Sequence, residues 1–139
     1  MRNRFAVLVL VAGTLLMLFQ PLLAHHGTNI SYDQNTTLQL TGTVTEWRYA
    51  YPHPQVYLDV KDQSGKVVAW AFELAPTPAM MRALNIGWSQ ASVKVGDQMT
   101  ITYRPSKVAD SKVGLAIALT LNGKPMPLTA QQAQQQPSR

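Results

Sequence analysis

Five strand-like segments, four of which alternate apolar with polar or small residues, constrain the fold of this 139-residue chain more than any other feature. A two-residue period places the apolar side chains on one face, so these four predict strands with one side towards a core. The third segment is apolar on both faces near Trp70 and Phe72 and predicts a strand as well. The segments cover residues 37–49, 55–61, 67–74, 98–104 and 114–121. Gly42, inside the first of them, indicates a bend or the close approach of another backbone.

One short helix is predicted between the third and fourth strands. Thr77 can cap it, Pro78 suits its first turn, and Met80, Met81 and Leu84 follow at helical spacing. Five strands with a helix in this place match the OB-fold. We therefore predict an all-β protein, a small five-stranded OB-like Greek-key barrel with one short helix. A plain five- or six-stranded sandwich is the alternative.

The first 24 residues are typical of a secretory signal. Arg2 and Arg4 precede an apolar run over residues 5–19, and Pro21 follows that run shortly before Ala24. The run is shorter than the roughly 20 residues that a membrane span needs. We therefore expect cleavage after Ala24 and a periplasmic protein, with a signal kept as an anchor as the alternative.

The rest of the chain divides into an N-terminal arm (25–36), the barrel domain (37–128) and a Gln-rich tail (129–139) that is predicted to be disordered. The chain has no cysteine, which excludes disulfides and thiolate chemistry. Cleavage would remove Arg2 and Arg4 and lower the formal charge from +5 to +3. So mild a charge gives little support to binding of nucleic acid or of a membrane surface.

The three histidines are the candidate metal ligands. Cleavage after Ala24 would give His25 a free amine, which can chelate an ion together with the imidazole of His25 or of His26. His53 lies between two prolines, in the loop that the OB-fold places at its binding mouth. Nitrogen-rich sets suit Cu²⁺ and three imidazoles suit Zn²⁺. We predict a site of His25, His26 and His53 with copper favoured over zinc; otherwise these are a solvated terminus and a turn residue.

Aromatic residues offer a different kind of site. Trp47, Tyr49 and Tyr51 would form a metal-free surface for a ligand or a protein partner at the barrel mouth. The methionines are more often core residues than Cu⁺ ligands. Glu46 and Glu73 lie on apolar strand faces, but no spacing pairs an acid with a base. We therefore name no catalytic residue, and an enzymatic function has little support.

Several short motifs form a set. They are the His-His pair after Ala24, the Gly-Thr-Val strand from Gly42, Pro52-His53, Gly87-Trp88 and Val95-Gly96-Asp97. In these motifs the chain resembles an uncharacterised family of exported bacterial proteins, domain of unknown function six-one-five-two. Tyr51 and Val95 stand where that family usually has asparagine and proline. The resemblance implies a small exported β-barrel with a His-His terminus and a Pro-His turn, and it implies no activity.

Taken together, these features lead us to expect a periplasmic barrel that carries copper or delivers it to a periplasmic metalloprotein or transporter. A metal-free interaction module that uses Trp47, Tyr49 and Tyr51 is the alternative, and an oxidative copper enzyme is a weaker one. Neither nucleic acid nor, after cleavage, a membrane is an expected partner.

Overall fold

The computed structural model describes residues 28–135. Short helices flank and interrupt a set of six strands. In chain order the elements are α1 (Thr28–Ser31), β1 (Leu38–Arg48), β2 (Gln55–Lys61), β3 (Val67–Leu74), α2 (Pro78–Ala83), a 3-10 turn (Gln90–Ser92), β4 (Gln98–Pro105), β5 (Val113–Leu121), β6 (Lys124–Met126) and α3 (Ala130–Gln134). Within residues 28–135, no helix has the length and apolar character that a membrane crossing needs.

The first five strands close into a barrel. β1 pairs antiparallel with β2 on one edge and with β4 on the other, and β2 continues antiparallel to β3. β5 is antiparallel to β4, and its first residues also pair in parallel with β3, which closes the ring. This strand order and the helix between β3 and β4 confirm the predicted OB-like barrel rather than a sandwich.

β1 changes partners at Gly42. Its residues Leu38–Thr43 pair with β4, and from Thr43 onward it pairs with β2. A Cβ at Gly42 would lie 2.7 Å from the carbonyl oxygen of Asp59 and 2.9 Å from a methyl group of Val60. The close backbone approach predicted from the sequence is therefore present, and it lets one strand serve both halves of the barrel.

The core follows the alternation of the strands. The inward side chains from β1 to β5 are buried: Val44, Trp47, Val56, Leu58, Phe72, Leu74, Met99, Ile101, Tyr103 and Leu119. Thr77 caps α2 by accepting a hydrogen bond from the Met80 amide, as predicted. From α2 and the chain after it, Met81, Ile86 and Trp88 join this core. Met81 and Met99 are core residues and Met126 packs against the core, as the sequence suggests, whereas Met80 is half exposed and does not belong to it.

The segment after β5 is more ordered than the sequence predicts. β6 adds to the free edge of β5, and α3 occupies part of the segment predicted to be disordered from residue 129. Thr129 caps α3, and Gln132 accepts a hydrogen bond from the Leu128 amide and donates one to the Ile117 carbonyl. The side chain of Gln132 thus satisfies two backbone groups and joins α3 to β5, a role that composition alone does not indicate.

Candidate functional site

His53 lies in the loop between β1 and β2. The peptide bond before Pro52 is cis, and Pro54 is buried. The carbonyl of Pro54 accepts a hydrogen bond of 2.9 Å from the amide of Leu74 at the end of β3. The residue after the histidine is thus fixed to the barrel, and the imidazole lies beside the end of β3.

Glu73 faces this imidazole. The register of β2 and β3 pairs Glu73 with Gln55, only two residues after His53. The Nε2 atom of His53 lies 3.8 Å from Oε1 of Glu73, and the two side chains are 30% and 25% exposed. Nδ1 of His53 is buried and has no hydrogen-bond partner among residues 28–135. Nε2 is therefore the ring nitrogen that remains available to a ligand.

Tyr32 contacts the same carboxylate from the N-terminal arm. Its hydroxyl donates a hydrogen bond of 2.8 Å to Oε2 of Glu73. Burial, and then the bond and charge of Glu73, raise the pKa of Tyr32 far above its ordinary value. The phenol therefore remains a proton donor, and it fixes one oxygen of Glu73 while the other faces His53.

The arm itself is attached to the end of β4. The amide of Asp33 donates to the carbonyl of Pro105 at 2.9 Å, and the amide of Lys107 donates to the carbonyl of Ser31 at 3.0 Å. The ammonium group of Lys107 also donates to the carbonyl of Asn29 at 2.8 Å. The chain therefore enters the described structure on the side of the barrel where Tyr32 reaches Glu73.

The predicted signal (1–24) and two of the three predicted ligands, His25 and His26, lie outside the described residues. Residues 28–135 contain only His53 of the predicted set, and they hold no group of three metal-binding side chains. The described part of the site is therefore a pair, His53 with Glu73, supported by Tyr32.

The chain matches the model of a family of unknown function, DUF6152, over residues 14–116. The chain belongs to DUF6152. This is the family that the sequence motifs resemble, and its description assigns no activity. Among curated proteins, none matches the chain.

Solved structures similar to this DUF6152 chain include a mitochondrial single-stranded DNA binding protein from S. cerevisiae, Rim1. It is 10% identical, with a TM-score of 0.45, over 64% of this chain and 95% of Rim1. A second crystal form of Rim1 gives 9% identity and a TM-score of 0.46, over 64% and 94% of the two chains. A chain of the S. pombe Stn1–Ten1 complex is 13% identical with a TM-score of 0.41, and the match covers 61% of this chain and 57% of that one. Similarities of this size concern the fold alone.

The two departures from the usual DUF6152 pattern lie on the surface. Tyr51 is 63% exposed, and its hydroxyl accepts a hydrogen bond of 2.6 Å from Arg82. Val95 is 73% exposed, in the turn before β4. Neither side chain belongs to the core or contacts His53 through a described hydrogen bond, so both changes leave the His53–Glu73 pair in place.

The aromatic residues of the alternative site do not share one exposed surface. Trp47 is only 7% exposed, and it packs against Tyr49 and Trp88 with ring centroids 5.9 Å and 5.4 Å away. Tyr49 is partly buried against the same core, which leaves Tyr51 as the exposed member. Trp47 and Tyr49 thus serve mainly to fill the end of this DUF6152 barrel.

Sequence reasoning did not identify Glu73 and Tyr32 as parts of the site. Glu73 gives one signal, a carboxylate on an apolar strand face, but its proximity to His53 depends on the register of β2 and β3. Tyr32 lies 41 residues before Glu73 and meets it only because the arm folds along β4. No local pattern in the sequence encodes that contact.

Proposed function

We propose that this DUF6152 protein is an exported metal-binding protein. In this proposal cleavage after Ala24 leaves His25 at the N terminus, and His25, His26 and His53 hold a copper ion, with zinc as the alternative. The protein then carries the ion in the periplasm or delivers it to a metalloprotein or transporter.

One observation carries the proposal: a single carboxylate, Glu73, contacts both the fixed histidine and the N-terminal arm. Five residues separate His26 from Tyr32, and four of them, Thr28–Ser31, form α1. A helical residue rises about 1.5 Å and an extended one spans about 3.5 Å, so His26 lies within roughly 13 Å of chain from Tyr32. Tyr32 holds the end of that chain against Glu73, the carboxylate that also faces His53.

The chemistry of the donor set favours copper. A terminal amine and an imidazole chelate one ion, and the fixed imidazole of His53 adds a nitrogen from the barrel. The backbone next to His53 is held by the buried Pro54 and its hydrogen bond from Leu74, and Nε2 of the ring already faces Glu73. A ligand held in position before binding loses little conformational freedom when the ion arrives, which raises affinity.

Titration of the processed protein with Cu²⁺ tests this function. The protein is expressed with its own leader, and mass spectrometry establishes the N terminus. We expect one ion per chain, with an electron paramagnetic resonance (EPR) signal of a nitrogen-rich site. His53→Ala and, separately, one extra residue before His25 should each weaken binding by at least about tenfold, because each removes a ligand atom.

Gln55→Ala is the matched control. Gln55 lies two residues from His53 and bonds to Tyr57, but it offers no metal-binding group. This variant should bind Cu²⁺ as the unchanged protein does. Equal affinity in the unchanged, His53→Ala and extended proteins would contradict the proposed site.

A further inference from the structure

We infer that Glu73 is a further ligand of this site and that the site takes a divalent ion rather than Cu⁺. The inference rests on the proposed function, and it adds an oxygen ligand that neither the family nor the sequence pattern assigns. It depends on the geometry of the His53–Glu73 pair, on the missing counter-charge of Glu73 and on the chemistry of oxygen ligands.

The spacing of the two side chains fits an ion between them. Nε2 of His53 and Oε1 of Glu73 are 3.8 Å apart, beyond hydrogen-bond distance. An ion about 2.0–2.2 Å from each atom would bridge them at an angle of roughly 130°. Closing the gap by a few tenths of an ångström gives a tetrahedral angle, and a rotation of two partly exposed side chains supplies that movement.

In the described part of the chain, Glu73 has no lysine or arginine to balance its charge. Three-quarters of its side chain is buried, yet among residues 28–135 no lysine or arginine forms an ion pair with it. The one described charge partner is His53, which contributes a positive charge only when protonated. A bound divalent ion would supply a positive charge beside this partly buried carboxylate.

Tyr32 acts in this arrangement as a positioning residue. It occupies Oε2 with a hydrogen bond of 2.8 Å and leaves Oε1 towards His53. Partners that hold a ligand in this way fix its orientation and raise metal affinity. Because Tyr32 belongs to the arm that follows His25 and His26, the same contact holds the carboxylate and brings the arm to the site.

The oxygen ligand selects the kind of ion. Carboxylate oxygen suits divalent ions, whereas Cu⁺ prefers thiolate and thioether sulfur. The protein has no cysteine; of the described methionines, Met81 and Met99 are buried in the core, Met126 is partly buried and Met80 is half exposed. A site of imidazole nitrogens and one carboxylate is therefore suited to Cu²⁺ or Zn²⁺.

Glu73→Gln tests the inference. The amide keeps the size of the side chain and an oxygen that can accept from Tyr32, so the fold should be preserved. Titration of the processed protein with Zn²⁺ and with Cu²⁺ should show affinity at least about tenfold lower in this variant. The Cu²⁺ EPR spectrum should change with the loss of the oxygen ligand, while Cu⁺ affinity, measured anaerobically, should stay the same.

Two further variants complete the test. Asp59→Asn neutralises an exposed carboxylate near the other end of β2 and should bind all three ions as the unchanged protein does. Tyr32→Phe should weaken Zn²⁺ and Cu²⁺ binding by several-fold and keep the ligand set seen by EPR. If Tyr32 had only a structural role, Tyr32→Phe would lower thermal stability without changing the affinity for Zn²⁺ or Cu²⁺.

The outcomes separate the two proposals. If His53→Ala loses the ion while Glu73→Gln binds with unchanged affinity and spectrum, Glu73 is not a ligand and the proposed function stands. If neither substitution changes binding, both are wrong. A loss of affinity for Cu⁺ equal to that for the divalent ions would contradict the selectivity that we infer.

Discussion

Gly114 is the residue on which closure of the barrel depends most directly. It pairs with Phe72 of β3 and with Pro105 of β4, so it lies where the two halves of the barrel meet. A Cβ at this position would lie 2.5 Å from Cδ2 of Tyr103 and 3.0 Å from Cε1 of Phe72. Both rings are buried in the core, so neither can move away cheaply.

Gly114→Ala should lower the free energy of unfolding by about 1–3 kcal/mol, because one added methyl group overpacks the core. Chemical denaturation followed by tryptophan fluorescence measures the change. Gly65→Asn is the control: it lies in an exposed turn, no atom lies within 4 Å of its Cβ position, and asparagine tolerates the positive φ. An alanine variant as stable as the unchanged protein would show that the rings adjust freely.

At the scale of elements, two turns at one end of the barrel are joined by Asp97 and Asn122. Asp97 accepts a hydrogen bond of 2.8 Å from the Lys94 amide and one of 2.9 Å from the side-chain amide of Asn122. The side-chain oxygen of Asn122 accepts from the amide of Gln98 at 2.9 Å. The turn before β4 and the turn after β5 therefore support each other.

The bond from Asn122, followed by the one from the Lys94 amide, lowers the pKa of Asp97 below its ordinary value of 3.8. A lowered native pKa stabilises the fold above the unfolded value, and the contribution is lost as the pH falls through the native value. Asn122→Ala should therefore raise the pKa of Asp97 and reduce stability at neutral pH more than in acid. Carboxyl NMR titration measures the shift, and an unchanged pKa would contradict it.

The sequence predicts the elements of this protein better than it predicts the contacts between them. Each of β1 to β5 lies within one residue of its predicted ends, because two-residue periodicity and turn residues are local signals. β6 has three residues, Lys124–Met126, too few to show a period. The helix α3 depends on the side-chain hydrogen bonds of Gln132, and the composition of this segment does not predict those bonds.

The candidate site shows the same division. His53 stands out in the sequence because it lies between two prolines in a loop at the barrel mouth. The contact of Glu73 with His53 and Tyr32 requires the register of β2 and β3 and the path of the arm along β4. The register and the path of the arm depend on the packing of the whole domain, so local sequence patterns do not predict them.

At the scale of the whole molecule, the proposed site joins the start of the processed chain to a closed barrel. The arm is bonded to the end of β4, Tyr32 reaches across to β3, and His53 projects from the loop before β2. An ion held by His25, His26 and His53 would therefore connect parts of the protein that are far apart in sequence. In this arrangement the barrel would supply His53 and Glu73, and the arm would supply His25 and His26.

A crystal structure of the processed protein grown with Cu²⁺, with anomalous data collected at the copper edge, tests this account most directly. We predict one anomalous peak per chain, about 2.0–2.1 Å from Nε2 of His53 and bonded to a nitrogen of His25 or His26. Two results would contradict the account. One is a copper ion bound by the N terminus alone, with His53 turned away from it, and the other is a protein without a bound ion.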